Sequence, residues 1–400
     1  MSTRKRVVFL TFYSEAWDAL AEVYALMARD ARFEVQVVAI DRRLTGETGF
    51  SGAYNVSDFF GGLGIPHLVN ADLAGLFGGA GPDYIFVNYP WQRNYAPQYR
   101  PDELARIGQI VYVPYYSLPL VQEPVDGVNP ASGFVEHAPH LYSQRMHQLT
   151  TIDTRKFGST KLDALVREVA ALGERDGSRG AGVSGAGSRR TLLWSPHHSY
   201  SPHWLNFGNF PRVHEDMLAW AAGHSEFNVV LRAHPFMFGT LVDRGVMTKA
   251  ALDDWLARWS ALPNARVEVG ESAAESFAAA DYLLTDGISF LAEWPLAKNV
   301  PGLFMENPEH WPFTEIGSLA AAANVRVSEI SELDGLLLGA GAIPDRSAQI
   351  AALRAAAMPN AGQTAARIVE AVAQDASMLI DPETVTEVPW ELQPGREPLD

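Results

Sequence analysis

The chain contains no cysteine, so disulfides, thiolate nucleophiles and Cys-ligated zinc or iron–sulfur groups are excluded. A reducing compartment fits that absence. Basic residues are scarce as well: 31 Lys+Arg stand against 47 Asp+Glu, a formal net charge of −16. Such a field repels polyanions, and no nucleic-acid partner is expected. A small anionic ligand stays admissible, because backbone dipoles and a few cations outvote net charge inside a cleft. Long apolar runs are missing too. None approaches the roughly 18 residues of a spanning helix, and the stretch 7–12 that follows the basic residues 1–6 is too short for a secretory core. The expectation is a cytoplasmic protein without an integral membrane segment, reaching the inner membrane face only through a partner.

What is present is a globular composition. Hydrophobic residues make up 47% of 400, with 10 Trp, 13 Tyr and 19 Phe, enough for two or three domains with large cores. Apolar runs at 7–10, 33–40, 84–87 and 109–113 read as strands. Between the first two, Trp17, Leu20, Tyr24 and Met27 recur at helical spacing, which makes a βαβ unit. Strand-like runs restart at 191–194, 227–231, 265–269, 282–285 and 302–305. The fold class expected is α/β: two Rossmann-like domains with parallel sheets facing an interdomain cleft. The domains are read as 1–172 and 191–379. Between them 173–190 forms a Gly/Ser-rich flexible linker, and 380–400 forms an acidic tail with four Pro.

Function is sought in loops after strands. No G-x-G-x-x-G follows the first strand, so a dinucleotide site is not expected there. Three segments stand out. Residues 194–204 carry Ser195, His197, His198 and His203 directly after a strand. A metal site on those three histidines is set aside, because adjacent His side chains diverge on most backbones and no acidic residue falls at ligand spacing. Arg232 and His234 alternate on the next strand and so share a face, which suits gripping and protonating a phosphate; a structural ion pair for Arg232 is the alternative. Finally, a strand ends at Thr285-Asp286, Gly287 allows a turn, and a helix begins near Ser289, where free N–H groups make an anion site.

In this order the segments resemble the CDP-glycerol glycerophosphotransferase family, over roughly residues 80–310. Gly158-Ser159-Thr160-Lys161-Leu162-Asp163 is similar to that family's Gly-x-Pro-Arg/Lys-x-Asp, with Thr160 in place of Pro. Leu193-Trp194-Ser195-Pro196-His197 resembles its apolar-Ala-Pro-Thr strand end, and Arg232-Ala233-His234-Pro235 its Arg-x-His motif. Thr285 through Glu293 resembles Thr-Asp-Tyr-Ser-Ser and its following acid, with Gly287, Ile288 and Glu293 as departures, and 298–304 resembles its Lys-Pro-apolar strand.

The resemblance implies a GT-B transferase that moves glycerol phosphate or a similar polyol phosphate from a CDP-linked donor. The acceptor would be a hydroxyl of a glycan or polyol phosphate, free or lipid-linked, and CMP would leave, as in teichoic acid or capsule polymer synthesis. The first domain would then serve the acceptor and the second the donor. Donor binding falls to Ser195, Arg232, His234, Thr285, Asp286, Gly287, Ser289 and Glu293, and acceptor binding to Tyr115 and Tyr116. No cofactor is required, with Mg²⁺ admissible on the donor diphosphate. The family's Trp-His-Gly-Thr segment is replaced by 113–119, so the base stays open among His137, His140, His197 and His198, with His234 as the other catalytic candidate. A glycosyltransferase using a nucleotide sugar and a non-catalytic polymer-binding homologue are the alternatives. The sequence leaves the oligomeric state open.

Overall fold

A computed structural model of the chain describes residues 4–43, 48–89, 94–104, 106–121, 141–144, 153–155, 157–175, 189–202, 205–268, 272–338 and 343–374. Contacts divide the chain into two compact units. One takes Met1–Ser117, Val125–Asp163 and Met358–Asp400; the other takes Leu118–Pro124 and Ala164–Ala357.

The sheet of the first unit contains β1 (Lys5–Thr11), β2 (Phe33–Ala39), β3 (His67–Val69), β4 (Tyr84–Val87), β5 (Gln109–Tyr112), β6 (Leu141–Gln144) and β7 (Asp153–Arg155). Their order is β3-β2-β1-β4-β5-β6-β7. The first five run parallel, whereas β6 and β7 are antiparallel additions that the sequence reading lacked. Val7, Val8, Phe9 and Leu10 are all fully buried, the reason β1 reads as an unbroken apolar run. On one face Phe9, Trp17, Leu20, Val23 and Phe86 share a core.

That core also takes Ile368, Val369 and Val372 from the helix Thr364–Gln374. The expectation that 191–379 is one domain is therefore corrected, because the last described helix buries its apolar face in the first unit. The Asp163 carboxylate fixes its start by accepting from the Thr364 backbone N–H at 3.1 Å, and Asn360 Nδ2 donates to Phe157 O at 2.9 Å.

The second sheet is wholly parallel: β8 (Arg190–Ser195), β9 (Phe227–Leu231), β10 (Ala265–Val267), β11 (Tyr282–Thr285), β12 (Leu303–Met305) and β13 (Val325–Val327). The order β10-β9-β8-β11-β12-β13 is doubly wound and reverses between β8 and β11, so ligands are expected outside the carboxyl ends of those two strands. Beneath lies an aromatic core in which Trp194 stacks on Phe210 at 5.5 Å and Trp255 on Trp259 at 5.2 Å.

Leu118–Pro124 belongs to this unit rather than to residues 1–172, since Thr314 donates its N–H to Leu120 O at 3.0 Å and its hydroxyl to Pro119 O at 2.7 Å. The linker begins later than expected. Residues 173–175 complete the helix Thr160–Arg175 and Arg190 opens β8, while 176–188 and the tail 380–400 lie outside the described residues. Among the described residues no helix is long and apolar enough to cross a membrane.

Candidate functional site

The three segments singled out in the sequence meet at the carboxyl ends of β8, β9 and β11. Thr285 Oγ1, closing β11, donates to Ser195 O at 2.8 Å and accepts the Gly287 N–H at 2.9 Å. Asp286 is buried, and its two carboxylate oxygens accept the backbone N–H groups of His197 and Asn209. Burial pushes the Asp286 carboxyl up to about 7, against the pull of those N–H donors. The Ser195 carbonyl, Thr285 and Asp286 thus brace the loop after β8, where the sequence reading had Ser195, Thr285 and Asp286 meet the donor.

The loop presents His197 and His198, and the end of β9 presents His234. His197 Nδ1 lies 2.8 Å from Ser199 Oγ, and that oxygen also accepts the Phe207 N–H at 2.9 Å. His234 donates its backbone N–H to Pro196 O at 3.2 Å, which ties the two loops together. Ring centroids lie 3.7 Å apart for His198 and His234, 4.5 Å for His197 and His198, and 5.4 Å for His197 and His234.

Burial sets the charge of this cluster. It lowers the His198 pKa to about 3, with His234 and Arg244 adding to the shift, and lowers that of His234 to about 4. His197 falls well below its ordinary value through burial and then the two neighbouring rings. Near neutral pH the cluster therefore offers neutral imidazoles, each with one N–H and one lone pair. The expectation that adjacent histidines diverge does not hold here. His203 lies outside the described residues, but His234 takes its place beside the other two.

Arg232 is the clearest correction. Its Nη1 donates to the Glu268 carboxylate and, at 2.8 Å, to Ser276 Oγ. The guanidinium expected on a phosphate is thus engaged in a buried ion pair, the alternative that strand alternation had left open. Arg244 is a cation that sequence reasoning missed, and its charge acts on His198.

Ser289 sits where the sequence placed it, exposed at the N-cap of the helix Phe290–Lys298, and makes no side-chain cap bond. The start of that helix offers N–H groups and the positive end of its dipole to an anion. Glu293 is buried within the same helix, and Gly287 lies with its Cα side toward His197.

In the first unit, Tyr115 and Tyr116 stand just past β5, with Tyr115 donating its backbone N–H to Asn88 O at 3.0 Å. Their rings are 5.3 Å apart and extend through Tyr89, at 5.1 Å from Tyr115, to Tyr13. Arg42 lies over Tyr13 at 5.8 Å. Tyr13, Tyr89 and Arg42 were not singled out, although each follows a strand. His137 and His140 lie outside the described residues.

A chain with one mainly parallel and one wholly parallel sheet has counterparts among solved structures. The chain is similar to the UDP-GlcNAc 2-epimerase of Neisseria meningitidis, at 12% identity and a TM-score of 0.52, over 93% of this chain and all of the other. It is equally similar to the wall teichoic acid polymerase TagF, at 13% identity and a TM-score of 0.53, over 92% of this chain and 88% of the other. The fold is GT-B. No family model and no curated protein sequence matches the chain.

Proposed function

We propose that this GT-B protein transfers glycerol phosphate or a similar polyol phosphate from a CDP-linked donor to a hydroxyl of a glycan or polyol-phosphate acceptor, releasing CMP. The observation that carries the reading is the cluster of neutral imidazoles beside the uncapped helix start at Ser289, gathered where the strand order reverses. A nucleotide diphosphate suits such a site, since helix N–H groups and an imidazole N–H stabilise charge without a buried permanent cation. The motif order and the likeness in fold to a teichoic acid polymerase support the same direction.

In this reading the acceptor oxygen attacks the outer phosphorus, the bond from that phosphorus to the bridging oxygen breaks, and CMP departs with the bridging oxygen. The acceptor proton passes to a neutral imidazole, for which His197, His198 and His234 are the candidates. His234 and the helix start hold the diphosphate, Arg244 supplies the charge that Arg232 does not, and Tyr115 and Tyr116 of the first unit are the candidates for acceptor binding. Positioning and charge stabilisation carry most of the rate, as in phosphoryl transfer generally.

A second reading, chemistry on a nucleotide sugar, is favoured by the likeness in fold to an epimerase solved with UDP-GlcNAc bound. Incubation with CDP-glycerol, CDP-ribitol and UDP-GlcNAc, with the free nucleotide and the sugar product both measured, separates the two. Acceptor-dependent CMP release supports the transferase. UDP release or a changed sugar from UDP-GlcNAc selects the second reading, and cytidine nucleotide binding without turnover selects a non-catalytic homologue.

A further inference from the structure

We propose that His197, His198 and His234 form a binding site for one divalent transition ion of the Zn²⁺ type, with a coordination position left open. The inference goes beyond the transferase reading and does not rest on it; an imidazole that ligates the ion does not also accept the acceptor proton, because it has a single lone pair. Each imidazole offers one ligand nitrogen, and the three nitrogens all lie within 4.8 Å of one another. Zinc–imidazole bonds of about 2.0–2.1 Å in a tetrahedron set nitrogens about 3.3 Å apart, so the nitrogens must close by about an ångström. The His198 and His234 rings, stacked at an interplanar angle of 20°, must also turn about their side-chain torsions so that their lone pairs converge on the ion.

The donor set selects the metal class. Three nitrogens without carboxylate or thiolate suit Zn²⁺, Co²⁺ or Ni²⁺, whereas Mg²⁺ demands oxygens. Three protein ligands also leave a fourth position open, the arrangement of catalytic rather than structural zinc.

The surroundings hold the ligands as a metal site requires. The His197 backbone is fixed by Asp286, and the His234 backbone by Pro196 O. Ser199 Oγ, itself anchored by the Phe207 N–H, stands ready to accept from Nδ1–H of His197 and leave Nε2 to the ion. Coordination through Nε2 has a cost at His197 and at His234, where the contacts from the Ser199 N–H at 3.3 Å and the Phe236 N–H at 3.2 Å, each to Nδ1, are exchanged for the tautomer that ligation needs. Two long contacts are little against two coordinate bonds. Burial keeps all three rings in the neutral form that ligates.

The test uses the full chain, stripped with chelator, desalted and titrated without any nucleotide. Co²⁺ is followed by its visible ligand-field bands and Zn²⁺ by elemental analysis after desalting. Expected are about one equivalent per chain, a Co²⁺ spectrum of four- or five-coordinate intensity, and a melting temperature raised by Zn²⁺. His197→Ala, His198→Ala and His234→Ala should each lower affinity at least about tenfold, the loss seen even for outer partners of ligands. His214→Ala and His224→Ala, away from the cluster, should leave it unchanged. Any alanine variant that melts early is replaced by the corresponding glutamine, which retains volume. Retention of well under one equivalent, or binding that all three substitutions leave intact, overturns the proposal. Because occupancy is read without donor, failure here leaves the nucleotide-release assay to judge the transferase reading separately.

Discussion

The Arg232 guanidinium is paired with the carboxylate of Glu268, whose side chain is only 1% exposed, and Ser276 Oγ closes the network by donating to the same carboxylate at 2.5 Å. Arg232 Nη1 is also 2.8 Å from that hydroxyl, so both converge on Glu268 Oε1, while Arg266 Nη2 stands 3.7 Å from Oε2. Breaking a buried pair from one side leaves a desolvated charge, which costs about 3–5 kcal/mol. Arg232→Gln should therefore lower the melting temperature strongly, with a cost near the bottom of that range because the arginine is partly exposed. The Arg232→Gln/Glu268→Gln double variant should recover much of the loss. Were Arg232 a donor ligand instead, the second substitution would rescue nothing and the loss would fall on KM.

The loop that carries His197 depends on a glycine. Gly208 donates its N–H to Ser199 O at 2.8 Å, and a Cβ on Gly208 would stand 2.8 Å from that same oxygen and against the Tyr200 ring. Backbone cannot yield as a flexible side chain does. Gly208→Ala should cost about 1–3 kcal/mol by overpacking and, through Ser199, disturb His197. Gly223→Ala is the control: it meets nothing within 4 Å at a helix end and should be neutral or slightly stabilising. Thermal melts of both variants decide the point, and equal melting temperatures would contradict it.

Much of the fold was legible because fully buried parallel strands read as continuous apolar runs. The expected 227–231 and 282–285 coincide with β9 and β11. β3 and β13 escaped because their three residues include His67 and Arg326, which break the apolar run that made the equally short β12 readable. The helix Thr364–Gln374 was readable as amphipathic, but its allegiance is set by Ile368 and Val372 joining the core that holds Phe9 and Phe86, an association across almost the whole chain. Site residues behaved likewise. Alternation along a strand was the ground for placing Arg232 and His234 on one face, but β9 ends at Leu231 and both lie past it, and spacing could not show the partner Glu268, 36 residues on. Neither could spacing show that β8 and β9 are neighbours, which is what brings His198 face to face with His234.

Arg6 and Asp83 supply a pH test at the opposite end of the first sheet. Arg6 donates from its backbone N at 2.8 Å and Nε at 3.1 Å to Asp83 Oδ2, with Nη2 on Oδ1, joining the starts of β1 and β4. Burial raises the Asp83 pKa, but the Arg6 bonds and charge outweigh it and hold the carboxyl below its ordinary value. A depressed carboxylate contributes stability above its unfolded pKa of about 3.9 and loses it as pH falls through the folded value. Asp83→Asn should melt below the parent at pH 7, and the gap should narrow as pH falls below the ordinary carboxylate range and through the depressed Asp83 value. A gap of constant size would mean that the pair contributes through packing alone.

The Ser289 and His234 side chains should separate binding from chemistry. Ser289 is exposed and makes no cap bond, so Ser289→Ala removes little from the fold. If the helix start holds the donor diphosphate, the variant loses one donor present in ground and transition states alike, which raises KM with kcat nearly unchanged. His234 differs because it stands against His198 and within the candidate catalytic cluster. Loss of an acid–base or charge-stabilising group costs about 10²–10⁴ in rate. His234→Gln, keeping a hydrogen-bonding side chain of similar size, should therefore lower kcat at least about a hundredfold while the circular dichroism melt stays close to the parent's. The readout is CMP released from CDP-glycerol in the presence of acceptor. Parent-like kcat in His234→Gln would remove that histidine from the chemistry and leave His197 and His198 as the bases to test.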